Sequence, residues 1–114
     1  MELQDILRVA GVGLVIAFLH LHPGRRDEFL GTLRELTPLV RAEAGCLEYT
    51  PAVDHAPFMG FQSPIGDDTI IVVEKWASPA ALDAHIEAPH MKAWGKQVAA
   101  LMSHRTIHVL DPIA

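Results

Sequence analysis

A chain of 114 residues has the length of one domain, which excludes a second hydrophobic core within this sequence. The formal net charge is −5 and the nine lysines and arginines are scattered, which excludes the concentrated basic surface of a nucleic-acid or anionic-membrane binder. Half of the residues are hydrophobic, so we expect another subunit to cover part of the apolar surface.

Residues 1–11 are predicted to form a leader ahead of the folded domain. The apolar run Val9–Leu19 is about half the length that a bilayer-spanning helix needs. The acidic residues Glu2 and Asp5 do not fit the basic start of a signal peptide. The single cysteine, Cys46, cannot form an intrachain disulfide, so nothing requires an oxidising compartment. We therefore expect a cytoplasmic protein.

The first two predicted elements are a strand and a helix. Val12–Leu21 is rich in β-branched and large apolar residues and runs into a Pro-Gly turn, which predicts a strand. Thr37-Pro38 predicts a kink or a break in the helix that follows, because proline removes a backbone donor. Gly45 is predicted to cap that helix. Its apolar residues recur at spacings of three and four from Arg25 onward: Phe29, Leu30, Leu33, Leu36 and Val40.

A second strand and a long loop occupy the middle of the chain. Cys46–Val53 predicts a strand with Leu47 and Tyr49 on one face, and Pro51 favours an edge position. Residues 54–68 are too many for a tight hairpin turn. This loop carries three large apolar side chains that need cover, so it is either a lid over a pocket or an arm packed on a partner subunit, with the arm favoured: Phe58, Met59 and Phe61.

The last third of the chain predicts a strand, two short helices and a final strand. Thr69–Trp76 is apolar on both faces, as in a strand that is covered on both sides. Ser78 supplies an N-cap oxygen and Pro79 a preset first helical residue. A proline, Pro89, ends that helix. The second helix is predicted from His90 to about Met102, and the final strand from Arg105 to Leu110.

The element order predicts an α+β fold of the ferredoxin-like βαββαβ type, with an antiparallel sheet covered by helices on one face. Val12–Leu21 and Thr69–Trp76 are apolar on both faces, so the second face of the sheet must also be covered. We therefore expect a second sheet to close against the first in a two-subunit barrel.

Three segments resemble one enzyme family. The sequence Glu-x-Trp-x-Ser-x-x-Ala-Leu-x-Ala-His at residues 74–85, followed by Pro89-His90, resembles the antibiotic biosynthesis monooxygenase (ABM) family of dimeric α+β barrels. Pro23-Gly24 with Phe29, and the stretch from Glu43 to Tyr49, resemble the family's first turn and its entry to the second strand. The resemblance covers roughly residues 12 to 110. It implies a small, cofactor-free oxygenase that acts on quinols, anthrones or related phenolic rings.

The family also contains haem-degrading enzymes and isomerases of small phosphorylated ketones. Where the haem-degrading members have Asn, Trp and His, this sequence has Ala17, His85 and Gly95, which argues against haem degradation. Where polyketide-oxidising members have an Asn and a Trp on the third strand, this sequence has Val72 and Trp76. This sequence therefore matches the polyketide-oxidising members at the Trp position and differs from them at the Asn position.

Cofactor-free oxidation of a phenol needs a base, an apolar pocket and donors for the phenolate. Histidine is the natural base near neutral pH, and His85 lies at the edge of a buried helical stripe. The alternative is a histidine bonded to backbone. Trp76 and Trp94 are candidate walls for the ring, with Trp76 as the second catalytic candidate, and Tyr49 is a candidate hydrogen-bond donor.

Two further residues are candidates for substrate binding. Glu74 shares a strand face with Trp76, so its carboxylate must find a partner, and a salt bridge to a neighbouring strand or subunit is the expected one. His90 begins the next helix, where a helix-start residue without a role is the alternative. His20 and His22 share a strand face, but no third ligand can be placed near them, so no metal is predicted. The resemblance to the family implies that no cofactor is needed either.

Two classes of function fit this sequence. One is a cofactor-independent oxygenase, or an isomerase of a small ketone, that uses His85. The other is a barrel that binds a small apolar ligand without chemistry. The expected partners are a small aromatic or phenolic substrate, oxygen and a second copy of the chain, with no nucleic acid and no membrane.

Overall fold

The computed structural model describes residues 13–113, so the predicted leader and the start of the first strand at Val12 lie outside the described residues. Four strands and three helices follow one another in the order βαββααβ. They are β1 (Gly13–Leu21), α1 (Arg26–Arg41), β2 (Cys46–Ala52), β3 (Thr69–Trp76), α2 (Pro79–Glu87), α3 (Pro89–Val98) and β4 (Met102–Leu110). None of these helices has the length and the apolar run that crossing a membrane requires.

Strand β1 lies inside the sheet, whose order is β2-β3-β1-β4 with every neighbouring pair antiparallel. Ala17 lies opposite Val72 on one side and opposite Ile107 on the other. Side chains alternate across a strand, so Val15, Ala17 and Leu19 all point to the face on which the helices pack, and all three are buried. The predicted ferredoxin-like α+β fold with two helices in its second half is confirmed.

Helix α1 continues through Pro38, so of the predicted kink or break the break is wrong. The hydroxyl of Thr37 donates a hydrogen bond to the Leu33 carbonyl over a distance of 2.6 Å, so this buried hydroxyl finds its partner within the helix. Leu36 and Val40, on either side of the proline, are both buried in the core. Core packing on both sides therefore outweighs the local preference of proline for ending a helix.

The end of helix α1 and the start of β2 also differ from the prediction. The helix ends at Arg41 with Ala42 as its cap, and Gly45 instead makes the turn into β2 with a φ of 83°. The register of β2 slips between Cys46 and Glu48, so Leu47 is 59% exposed and does not share the buried face of Tyr49. The edge position predicted from Pro51 is confirmed, because β2 is the outermost strand on its side.

Helix α2 begins as predicted, with the Ser78 hydroxyl accepting a hydrogen bond from the Ala81 amide at 3.1 Å. Helix α3 is shorter than predicted, because it ends at Val98 and Met102 already pairs with Leu21 in the sheet. Met102 therefore belongs to the sheet, although its helical spacing predicted that it would lie in α3. For the same reason β4 begins at Met102, three positions before the predicted start.

The face of the sheet opposite the helices remains partly open within one chain. Its apolar side chains on β1 and β3 are half-buried: Leu14, Ile16, Phe18, Ile71 and Val73. Strand β4 is exposed along most of its length, and Leu110, which pairs with Leu14 on this face, is 45% exposed. The loop of residues 54–68 is ordered by Asp54, whose carboxylate accepts hydrogen bonds from the Ile65 and Gly66 amides, yet Phe61 at its tip is 87% exposed.

Candidate functional site

A cavity of about 590 Å³ lies between the helix-facing side of the sheet and helices α2 and α3. This volume falls within the range of pockets that hold small organic ligands. Most of its wall is apolar and comes from β1, β3, β4 and the two helices, including Val15, Ala17, Val72, Leu82, Trp94 and Ile107. The sheet and the helix pair thus enclose a space suited to an apolar or aromatic molecule.

Glu74 places a carboxyl group in the wall of this cavity, because the alternation of β3 points it to the same side as Val72 and Trp76. Only 7% of the residue is exposed, and burial raises the pKa of its carboxyl group above the usual glutamate range. The Trp76 indole Nε1 donates a hydrogen bond to Glu74 Oε1 at 2.9 Å. Within residues 13–113 the hydrogen-bond partner of Glu74 is therefore this indole on its own strand, where a salt bridge to a neighbouring strand or subunit was predicted.

His85 lies beside Glu74 on the cavity wall and is 4% exposed. Its Nε2 is 3.8 Å from Glu74 Oε1, and its ring stacks at a tilt on Trp76, with centroids 4.5 Å apart. On the opposite side of the ring, Nδ1 lies 2.8 Å from Glu43 Oε2. His85 is therefore held by a carboxylate, and the alternative of a side chain bonded only to backbone does not apply.

Glu43 is the residue of this site that the sequence did not reveal. It belongs to the turn between α1 and β2, where its Oε2 lies 2.8 Å from His85 Nδ1 and also 2.8 Å from His90 Nε2. These contacts join positions 42 and 47 residues apart in the chain, which no local spacing can indicate. The available signal was its place at the start of the segment Glu43–Tyr49 that resembles the ABM family.

The remaining predicted residues divide between the cavity wall and the layer behind it. Tyr49 lines the cavity, and burial raises the pKa of its phenol so far that it stays a neutral donor. Trp94 also lines the cavity, with its Nε1 donating to the Thr32 hydroxyl at 3.0 Å. Trp76 is fully buried behind Glu74 and His85 rather than forming a wall. His90 lies outside the lining and meets the site only through Glu43.

Within residues 13–113, no group of three or more histidine, cysteine or acidic side chains has the arrangement of a metal site. His20 does not pair with His22. Its ring stacks on that of His104 across strands β1 and β4, with centroids 4.1 Å apart, and its Nδ1 lies 3.2 Å from the Thr69 hydroxyl.

Comparison with known proteins places this arrangement in a family. The sequence model of the family described as antibiotic biosynthesis monooxygenase matches residues 13–97. The chain belongs to the antibiotic biosynthesis monooxygenase family. The matched region spans β1 to α3 and therefore includes Glu43, Tyr49, Glu74, His85 and His90. The predicted family and the prediction of an enzyme of the monooxygenase class are confirmed.

Relatives and solved structures agree with this assignment. The chain is 38% identical over 100 residues to the Escherichia coli K12 protein named "Probable quinol monooxygenase YgiN". The aligned residues cover 86% of this chain and 95% of the relative. The PA3566 structure from Pseudomonas aeruginosa superimposes with a TM-score of 0.77 and 27% identity, covering 91% and 96% of the two chains. The Rv0793 structure from Mycobacterium tuberculosis gives 0.75 and 26%, covering 91% and 97%. This ABM chain thus shares nearly its whole fold with them.

Proposed function

We propose that the protein is a cofactor-independent monooxygenase that oxidises a quinol, an anthrone or a related phenolic ring with molecular oxygen. One observation carries the proposal: a buried histidine with a carboxylate partner faces an apolar cavity of about 590 Å³. The name of the Escherichia coli relative supports a quinol as the substrate. The cytoplasmic location stays a prediction of the sequence.

The chemistry requires the substrate to become electron-rich before it meets oxygen. His85 Nε2 accepts the proton of a phenolic hydroxyl, and the resulting phenolate transfers electrons to oxygen. One oxygen atom then becomes bonded to a ring carbon and the other leaves as water. The substrate supplies all four electrons that reduce the oxygen molecule and the two hydrogens of that water, and it ends as the oxidised quinone-type product. Trp94 packs against the ring, while the neutral phenol of Tyr49 donates a hydrogen bond to the developing oxyanion.

Oxygen uptake tests this function directly. Chelator-treated protein is added to naphthohydroquinones, anthrones and simple catechols in an oxygen-electrode cell, beside heat-denatured protein as the autoxidation control. We expect uptake above the autoxidation rate for at least one substrate, with no increase when divalent metals are restored. Uptake that appears only with added metal would contradict a cofactor-independent reaction. An absence of uptake, together with thermal stabilisation by the same compounds, would instead indicate the non-catalytic binding barrel.

We also propose that two copies of the chain pair through the open face of the sheet. The half-buried apolar side chains of β1 and β3 on that face form a continuous surface that a second, symmetry-related sheet would cover. The exposed Phe58, Met59 and Phe61 of the 54–68 loop supply a second apolar contact for the same partner. Light scattering at micromolar concentration is expected to give twice the chain mass. A monomer mass across that range would contradict the dimer.

A further inference from the structure

Glu43 accepts contacts from two histidines that belong to different helices. His85 comes from α2 and His90 from α3, yet both ring nitrogens lie 2.8 Å from the same oxygen, Oε2. The Glu43 side chain is 12% exposed, so little water competes for this oxygen. Distances of this length are typical of charge-assisted hydrogen bonds. The two contacts fix the orientation of the Glu43 carboxylate, unlike that of a solvent-exposed glutamate.

This arrangement determines which nitrogen of His85 can act as a base. An ionised carboxylate only accepts hydrogen bonds, so the Nδ1 that meets Glu43 must carry a hydrogen. In a neutral imidazole the other nitrogen then has a free lone pair. That nitrogen is Nε2, which lies 3.8 Å from Glu74 Oε1 at the cavity wall. The basic atom of His85 therefore faces the cavity because of Glu43.

We infer that Glu43 and His90 are positioning residues: Glu43 holds His85 as its Nδ1–H tautomer and stabilises the imidazolium formed on proton transfer, and His90 holds Glu43. This inference rests on the proposed role of His85 as base. Neither Glu43 nor His90 is among the cavity-lining residues, so both act through His85 rather than on the substrate. His90 was predicted to bind the substrate; in this inference it contacts Glu43 instead.

The groups that face His85 come from every element around it. Glu43 lies on the Nδ1 side and Glu74 of β3 on the Nε2 side, while the Tyr49 ring of β2 lies 5.9 Å away. His90 of α3 reaches His85 only through Glu43. Glu43 Oε2 is 2.8 Å from the ring and Glu74 Oε1 is 3.8 Å from it, so Glu43 is the carboxylate placed to balance a positive charge on His85. Burial raises the pKa of the Glu74 carboxyl group, in the same sense.

The tautomer can be measured without any turnover. Nitrogen-15 chemical shifts distinguish Nδ1–H from Nε2–H imidazole, and the His85→Gln variant identifies the signals of His85 among the seven histidines. We expect the Nδ1–H form in the parent protein and a mixture of tautomers in Glu43→Gln, because an amide can accept from or donate to Nδ1. An Nε2–H form in the parent, or no change in Glu43→Gln, would overturn the inference whether or not a substrate is known.

Steady-state kinetics provide a second, independent test of the inference. For Glu43→Gln we expect kcat to fall by about 10²-fold to 10⁴-fold, as when a histidine base loses its orienting carboxylate. KM should change little, because Glu43 is not among the residues that line the cavity. His90→Phe should lower kcat in the same direction by less, while His90→Gln, which keeps a donor, should restore most of the rate.

Controls separate a failed inference from a failed function. Glu48→Gln removes an equally charged side chain, one that pairs with Lys75 on the sheet and lies off the cavity, and it should leave kcat unchanged. Thermal unfolding of each variant excludes loss of fold. If His85→Gln abolishes uptake and Glu43→Gln does not, the function stands and the inference falls. If the parent consumes no oxygen but shows the Nδ1–H tautomer, the positioning role of Glu43 is supported and the proposed oxygenase function is contradicted.

Discussion

Replacement of His85 by glutamine is expected to lower kcat for oxygen uptake by about 10²-fold to 10⁴-fold, the usual contribution of a general base. Glutamine keeps a side chain that can donate to Glu43, so the site should stay packed while the basic Nε2 is lost. The measurement is the initial rate of oxygen consumption over a range of substrate concentrations. The Kd for the substrate, measured without oxygen, should change much less than kcat.

A second histidine provides the matched control for this variant. His22 lies exposed in the turn after β1, away from the cavity, so His22→Gln makes the same chemical change without touching the site. We expect its kcat to equal that of the parent. Equal rates for the parent and both variants would show that His85 is not the base. A loss of substrate binding in His85→Gln that accounts for the whole rate change would assign His85 to binding instead.

The fold could be predicted because its determinants are local. Ser78 and Pro79 start helix α2 whatever surrounds them, and the β-branched run in β3 has the composition of a strand covered on both sides. The errors arose where tertiary contacts outweigh local preference. Helix α1 passes through Pro38 because core packing continues on both sides of it, and Met102 joins β4 because Leu21 is available as its partner in the sheet.

The site could be predicted only in part, for the same physical reason. The burial of Glu74 and the inward position of His85 follow from strand alternation and helical spacing within single elements. The Trp76–Glu74 hydrogen bond could not be foreseen, because two residues on one strand face were expected to pair with neighbours on other elements. Glu43 meets His85 only after the α1–β2 turn packs against α2, and that packing depends on Gly45.

Among the positive-φ glycines of residues 13–113, Gly45→Ala is expected to be the most damaging single-methyl addition. An L-residue at a φ of 83° costs about 1–2 kcal/mol by itself. A Cβ at position 45 would also lie 2.6 Å from the Ala81 Cβ on helix α2, and overpacking of this kind typically costs about 1–3 kcal/mol more. Urea denaturation should therefore show a loss of about 2–5 kcal/mol in the free energy of unfolding.

Gly24 separates the two contributions, because it has a φ of 80° and no atom within 4 Å of the Cβ that alanine would add. Gly24→Ala should show the conformational cost alone, and a loss as large as that of Gly45→Ala would contradict the close contact. A double-mutant cycle of Gly45→Ala with Ala81→Gly should recover the overpacking part of the loss. Because Glu43 lies two residues before Gly45, the folded Gly45→Ala protein should also lose kcat. Gly24→Ala should not, since it moves neither Glu43 nor helix α2.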